Sequence, residues 1–109
     1  MPTAYKVLGQ SNPAATTATT LYTVPAATQT VVSTIVICNQ AATAATFRIA
    51  VRPAGATLAA LHYVAYDVTV GASDSTALTL GLTLNATDVI TVYASTATIS
   101  FSAYGSEIS

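Results

Sequence analysis

Short runs in which apolar and polar residues alternate, separated by turn residues, recur along the whole chain. The clearest run is Thr76–Leu84, where every second residue is a leucine, and Phe47–Arg52 has the same period. Such a period predicts half-buried β-strands, because successive side chains of a strand point to opposite faces of a sheet. Val31–Cys38 is instead apolar on both parities, so we expect a central strand that is covered on both faces.

The same pattern predicts about eight strands, and turns rich in Pro, Gly, Asn and Asp separate them. The predicted strands are Tyr5–Gln10, Ala18–Val24, Val31–Cys38, Phe47–Arg52, His62–Val70, Thr76–Leu84, Val89–Ala94 and Thr98–Tyr104. A helical turn is expected within Ala56–Leu61, and Gly105–Ser109 is expected to be a tail. Many short strands at short spacing predict an all-β, antiparallel β-sandwich of the jelly-roll type, formed as one domain by residues 1–109.

The apolar positions of these strands also predict the core. In the strand His62–Val70, the residues Val64, Tyr66, Val68 and Val70 are expected to share one face, opposite Tyr63, Ala65, Asp67 and Thr69. The predicted core residues are Ile35, Val36, Phe47, Ile49, Leu80, Leu82, Ile90, Val92, Ile99 and Phe101.

The composition favours a protein that assembles with others. Charged residues make up only 6% of the 109 residues, and the formal net charge is −1, whereas an ordinary soluble domain has about 25% charged residues. So small a net charge argues against a nucleic-acid partner or attraction to an anionic membrane. It also gives little electrostatic protection against self-association. A member of an assembly is therefore expected rather than a free monomer.

The titratable residues do not suggest a catalytic or metal site. His62 is the only histidine, and Asp67 lies on the opposite parity of the same strand. A Ser-His-Asp triad formed through space stays open, but a structural histidine at a strand end is the expected role. Asp74 and Asp88 fall in turns, where Asp commonly accepts hydrogen bonds from its own backbone. Cys38, the only cysteine, is expected to be a buried small hydrophobic residue. We therefore predict no catalytic residue, cofactor or metal.

The tyrosines and two arginines are the candidate interface residues. Tyr63, Tyr93 and Tyr104 lie on the parity opposite the apolar faces of their strands, and Arg48 and Arg52 share a strand face. Tyrosine is frequent at protein interfaces because its ring buries a large area while its hydroxyl stays polar. The alternative to an interface role is that the tyrosine rings pack at the rim of the core. For the two arginines the alternative is a solvated edge.

Several segments together resemble a known family. LYTVPAATQTVVSTIVICN, FRIAVRPAGATLA, HYVAYDV and the closing FSAYGSEIS are similar to short virion proteins of tailed bacteriophages, and the likeness runs from YKVLGQ to GSEIS. The family consists of small β-sandwich structural proteins of the capsid-decoration or tail and neck accessory type. The resemblance implies a non-enzymatic particle component and supplies no catalytic residues.

Two functions of different classes follow as expectations. The first is a structural virion subunit, assembled in the host cytoplasm and bound in many copies to the capsid, neck, tail or baseplate. It would form a homo-oligomer, with a trimer as the expected form, and would contact other virion proteins. The alternative is a fibre-like adhesin that binds a host-surface glycan or protein. Glycan-binding sites usually present aromatic side chains on loops, whereas these tyrosines lie on predicted strands, which favours the structural role.

Overall fold

The computed structural model describes residues 3–109, which form nine β-strands and two short 3-10 turns. The strands are β1 (Thr3–Ser11), β2 (Thr19–Thr23), β3 (Gln29–Asn39), β4 (Ala45–Arg52), β5 (Tyr63–Val70), β6 (Ser75–Leu78), β7 (Leu82–Leu84), β8 (Val89–Ala94) and β9 (Ile99–Ile108). The 3-10 turns are Pro53–Gly55 and Ala60–His62, and the second overlaps the predicted helical turn. The all-β prediction is confirmed.

The strands form two antiparallel sheets that pack face to face. In the first sheet the order is β1-β9-β3-β6, with β7 also paired to β3; in the second it is β2-β8-β4-β5. If β6 and β7 are taken as two parts of one strand, this alternation of strands between the sheets is the jelly-roll order. The predicted β-sandwich is therefore confirmed, and its jelly-roll topology can be read from the pairing.

The core lies between the sheets, and it includes seven of the ten predicted core residues. The rings of Phe47 and Phe101 meet edge to face, with 6.1 Å between their centroids, and join β4 of one sheet to β9 of the other. The predicted core residues that are fully buried are Ile35, Phe47, Ile49, Ile90, Val92, Ile99 and Phe101.

The prediction that β3 is covered on both faces is wrong. Its inward residues are buried, but Val36 and Cys38 are only half-buried and Val31 is exposed. The reason is that the domain has two layers, so each sheet has one outer face that no third layer covers. Val36 is therefore not a core residue, and Cys38 is not a fully buried one.

The predicted strand Thr76–Leu84 is broken in the middle. β6 ends at Leu78 and β7 begins at Leu82, and between them Gly81 has a φ of +63°. That left-handed conformation is accessible to glycine at little cost, and it interrupts the extended chain. Leu80 is consequently exposed and Leu82 half-buried, so neither is the core residue that the alternation of leucines predicted.

The last strand is longer than predicted and includes the expected tail. β9 continues to Ile108, where it pairs with Thr3 of β1 and Gln29 of β3. Gly105 lies within this extension, and a Cβ atom added there would lie 2.0 Å from the carbonyl oxygen of Val31. Glycine is needed at this position because two backbones approach closely.

Asn39 connects the loops at one end of the sandwich. Its side chain is buried, and Nδ2 donates to the carbonyl oxygens of Thr43, Val70 and Gly71 at 2.9–3.4 Å. Its Oδ1 accepts from the backbone N–H of Ala41 at 3.0 Å and from the hydroxyl of Thr98 at 3.1 Å. One amide side chain thus joins the β3–β4, β5–β6 and β8–β9 connections.

Candidate functional site

The outer face of the second sheet carries a group of aromatic and charged side chains centred on Arg48 of β4. Arg48 lies directly opposite Tyr93 of β8 in the strand register. The guanidinium carbon of Arg48 is 4.3 Å from the centroid of the Tyr93 ring and 4.1 Å from that of Tyr66. Both distances are within the range of a cation–π interaction. We call Arg48, Tyr63, Tyr66, Asp67 and Tyr93 the arginine cluster.

Asp67 holds the Arg48 side chain in this position. Its carboxylate accepts from Nε of Arg48 at 2.6 Å and from an Nη nitrogen at 3.3 Å, so the pair is bidentate. These bonds to Arg48 lower the pKa of the Asp67 carboxyl, and they raise the pKa of the Arg48 guanidinium. The two charges are therefore neutralised within one subunit, and both rings that flank Arg48 are held against it.

A β-bulge in β5 creates this arrangement. Phe47 of β4 pairs with Val68 and Ile49 pairs with Ala65, so both Tyr66 and Asp67 lie opposite Arg48. Asp67 has a φ of +51°, a left-handed conformation that Asp tolerates better than most residues. Backbone strain of this kind persists where the surrounding structure requires it, often at functional sites.

The bulge also changes which side chains of β5 point inward. Val64, Tyr66 and Val68 are exposed, whereas Ala65 and Val70 are buried. Val68 and Val70 pair with inward Phe47 and Ala45, whereas Tyr66 lies opposite outward Arg48, so the prediction that the valines and Tyr66 share one face is wrong. An inserted residue shifts the alternation by one position, and the period of the sequence does not show where this happens.

A groove borders the arginine cluster on the side of the β4–β5 connection. Its volume is about 640 Å³, and it is lined by Leu58, Ala59, Ala60, Tyr63 and Tyr66. The rings of Tyr63 and Tyr66 meet edge to face with 5.0 Å between centroids. The opposite wall is fixed by buried His62, whose Nδ1 accepts from the backbone N–H of Ala59 at 3.0 Å. His62 therefore has the structural role expected of it.

Of the predicted interface residues, the structure brings Arg48, Tyr63 and Tyr93 together. Arg52 lies further along the same face of β4, where Nε donates to the hydroxyl of Thr91 at 3.0 Å. Tyr104 does not belong to this group, since it lies on the outer face of the first sheet.

Sequence reasoning placed Asp67 on the face of Tyr63 without naming it as a site residue, and it placed Tyr66 on the opposite face, because the bulge that turns Tyr66 outward leaves no periodic signal. The one available sign was the segment HYVAYDV itself, which places two tyrosines and an aspartate close together on a single strand.

Tyr104 belongs to a second aromatic surface, on the first sheet. Tyr5 and Val7 of β1, Val31 of β3 and Tyr104 of β9 are all exposed there, and Tyr5 is 85% exposed. Tyr104 pairs with Val7 in the register, and a shallow groove of about 420 Å³ runs between the rings of Tyr5 and Tyr104. Each sheet of the sandwich thus presents its own apolar outer surface.

No protein-family model matches the chain, and no curated protein and no solved structure is detectably similar to it. Its function must be inferred from its own surfaces. Residues 3–109 contain no helix long and apolar enough to cross a membrane.

The remaining acidic side chains, Asp74 and Asp88, accept hydrogen bonds from backbone N–H groups. Asp74 accepts from the N–H of Ser75 at 2.8 Å, and Asp88 accepts from those of Ala54 and Asn85, both at 2.8 Å. The expected turn role of both aspartates is thus confirmed. Over the range that the structure describes, no three His, Cys, Asp or Glu residues lie close enough to hold a metal ion.

A polar network joins the two sheets at the end opposite Asn39. Glu107 of β9 forms an ion pair of 2.7 Å with Lys6 of β1 and accepts a hydrogen bond from the hydroxyl of Tyr22 on β2. The hydroxyls of Tyr22 and Thr30 are 2.8 Å apart. Lys6 and Tyr22 lower the pKa of Glu107, while burial and the Glu107 carboxylate raise the pKa of Tyr22 to about 12.

Proposed function

We propose that this protein is a non-enzymatic structural subunit of a tailed-bacteriophage virion that binds in many copies to the particle. Its place would be that of a capsid decoration protein or of a tail, neck or baseplate accessory protein. The expectation of a phage virion protein, taken from the sequence segments quoted above, motivates this proposal. The jelly-roll architecture is compatible with it, since viral capsid proteins use that fold, although a fold alone does not determine a function.

The observation that carries the proposal is the small number of charged side chains, four of which form ion pairs within the chain, on a surface rich in apolar side chains. Lys6 pairs with Glu107, and Arg48 pairs with Asp67. The other two acidic side chains are bonded to backbone N–H groups. Both sheets nevertheless expose tyrosine and valine on their outer faces. Such a surface offers little repulsion to neighbouring copies and large side chains for burial at an interface.

The test is to look for the chain in purified particles of a phage that encodes it. Mass spectrometry should detect it in virions after density-gradient purification, and imaging of the particle should locate it. Many copies on the capsid lattice would indicate decoration, and a few copies at the tail would indicate an accessory role. Absence from virions, combined with a strict monomer in light scattering, would refute the proposal.

A second candidate, an adhesin that binds a host-surface glycan, is favoured by the groove beside the arginine cluster. Tyr63 and Tyr66 offer aromatic surface there, and Asp67 and Arg48 offer hydrogen-bonding groups of fixed orientation. Ligand sites typically combine an apolar, aromatic lining with a few well-placed polar groups. A glycan array should then show binding that Tyr66→Ala abolishes. Tyr104→Ala, which removes a tyrosine from the other sheet, is the matched control and should retain binding.

A further inference from the structure

The first half of β1, Thr3–Val7, is an open edge of the first sheet, and we call it the β1 edge. β1 is the outermost strand of that sheet and pairs with β9 on its other side. All five residues are exposed. Every second residue of such a strand points its backbone N–H and C=O away from the sheet, where they can pair with another strand. After Val7 the strand passes close to Leu21 of β2, at Gly9.

The other three sheet edges are blunted. The edge opposite β1 is divided into the short strands β6 and β7 on either side of the break at Gly81. β5 has the bulge at Asp67, and β2 is five residues long with a register shift of its own. Short strands and bulges are the usual means by which proteins prevent edge-to-edge pairing. The irregularity of β1 lies after Val7, so the β1 edge has no such protection.

Charge does not protect the β1 edge either. Lys6 is its only charged residue, and an exposed lysine is a common way to keep a second strand from pairing. Here the Lys6 ammonium lies 2.7 Å from the Glu107 carboxylate of the same subunit. Its charge is thereby compensated. The neighbouring side chains Tyr5 and Val7 are apolar and exposed.

We propose that the β1 edge pairs with the β1 edge of a second copy of this chain, antiparallel about a two-fold axis that passes through Tyr5. The two first sheets would then form one continuous sheet across the dimer. The inference rests on the proposed role as an assembling subunit, and it names the surface used. A second copy is the occupant that the edge fits, because both partners would have their one edge charge paired internally, apolar side chains on one face and an open edge over the same five residues.

The position of the axis follows from the side chains. With the axis at Tyr5, Lys6 faces Ala4 of the partner subunit and Thr3 faces Val7 of the partner subunit. With the axis at Lys6, two like charges would lie directly opposite, which destabilises strand pairing. The register centred on Tyr5 also brings two tyrosine rings together. A contact of this kind is isologous, so it gives a dimer in place of the expected trimer.

Sedimentation of two matched variants tests the contact. The wild-type chain should be a dimer that dissociates on dilution. Tyr5→Lys places two like charges at the axis and should raise the dissociation constant at least about tenfold. Leu61→Lys replaces an equally exposed apolar residue outside the β1 edge and should leave the dimer unchanged. Equal effects of the two variants, or a wild-type monomer at all concentrations, would overturn the inference.

Cysteine cross-linking tests the register. In a Cys38→Ser background, Tyr5→Cys places two thiols opposite each other, with Cβ atoms about 4.5–5.5 Å apart. Val7→Cys places them four residues apart along the pair, about 13 Å, which no disulfide can span. Mild oxidation should therefore cross-link the first variant and not the second. The reverse result, or cross-linking of neither, would refute the two-fold pairing at Tyr5.

The outcomes separate this inference from the proposed function. An oligomer that is found in virions but is insensitive to Tyr5→Lys would leave the structural role standing and remove the β1 contact. A chain that pairs through Tyr5 in solution but is absent from virions would support the β1 contact and refute the structural role in the virion. Backbone amides of the β1 edge could instead become protected from hydrogen exchange only after another virion protein is added. That result would refute pairing with a second copy and would identify the added protein as the partner.

Discussion

Replacing Asn39 by alanine is expected to be among the most destabilising substitutions of a polar residue in this protein. The change removes both amide donors, which serve the carbonyl oxygens of Thr43, Val70 and Gly71. It also removes the acceptor used by the backbone of Ala41 and the hydroxyl of Thr98. With two donors and two accepted bonds at about 1 kcal/mol net each, the free energy of unfolding should fall by about 3–4 kcal/mol. That is a large part of the 5–15 kcal/mol typical of a domain.

Asn12→Ala is the matched control. Asn12 lies near the same end of the sandwich, and its amide donates to the carbonyl oxygens of Ala97 and Ile99 at 3.0 and 2.7 Å. Asn12 itself is exposed, so water can replace the lost bonds, and the expected loss is only about 1 kcal/mol. Urea denaturation at fixed m-value measures both losses. A loss for Asn39→Ala no larger than that of the control would refute the central role of Asn39.

Asn39→Asp gives an independent signature. A carboxylate in this place faces three carbonyl oxygens and has no donor for them, so burial and repulsion favour its protonated form. Its pKa would be higher in the folded than in the unfolded state. The variant should therefore be least stable near neutral pH and should regain stability as the pH falls towards the ordinary range of Asp. Parallel pH profiles for Asn39→Asp and wild type would contradict this reasoning.

Three further changes test other features of the fold. Ala27 has a φ of +54° in an exposed turn, so Ala27→Gly should stabilise the protein by about 0.5–1 kcal/mol in thermal unfolding, whereas the neighbouring control Ala26→Gly should destabilise it. Gly105→Ala should prevent β9 from pairing normally and lower the melting temperature far more than Gly71→Ala, whose Cβ would meet only ordinary contacts. Because the pKa of Glu107 is lowered, its contribution is present above about pH 4.3 and is lost on acidification, so the advantage of wild type over Glu107→Gln should shrink below that pH.

The parts of the fold that the sequence predicted are those in which side-chain period and burial agree. Phe47, Ile49, Ile99 and Phe101 alternate with polar residues and are buried as expected. The errors come from backbone features that the period does not encode. Gly81 looks like one more polar-face residue of a leucine strand, yet its left-handed φ divides that strand into β6 and β7.

The candidate site was predictable only in part for the same reason. Arg48 and Tyr93 could be assigned to outer faces because their own strands are regular. Tyr66 could not, because the bulge that turns it towards Arg48 depends on how β5 pairs with β4. Two-layer architecture likewise decides that Val36 lies on an outer face, although its sequence context is that of a buried strand.

The order of strands in the first sheet has a consequence for biosynthesis. β9 lies between β1 and β3, with Ser11 opposite Phe101 and Gln29 opposite Ile108. The first sheet therefore cannot close until the ribosome has released residues up to Ile108. Until then β3 keeps an open apolar edge, and pairing across such long separations is slow. The first sheet therefore needs residues from Thr3 to Ile108 together, and the yield of folded protein in cells should depend on temperature and chaperone supply more than the final stability would suggest.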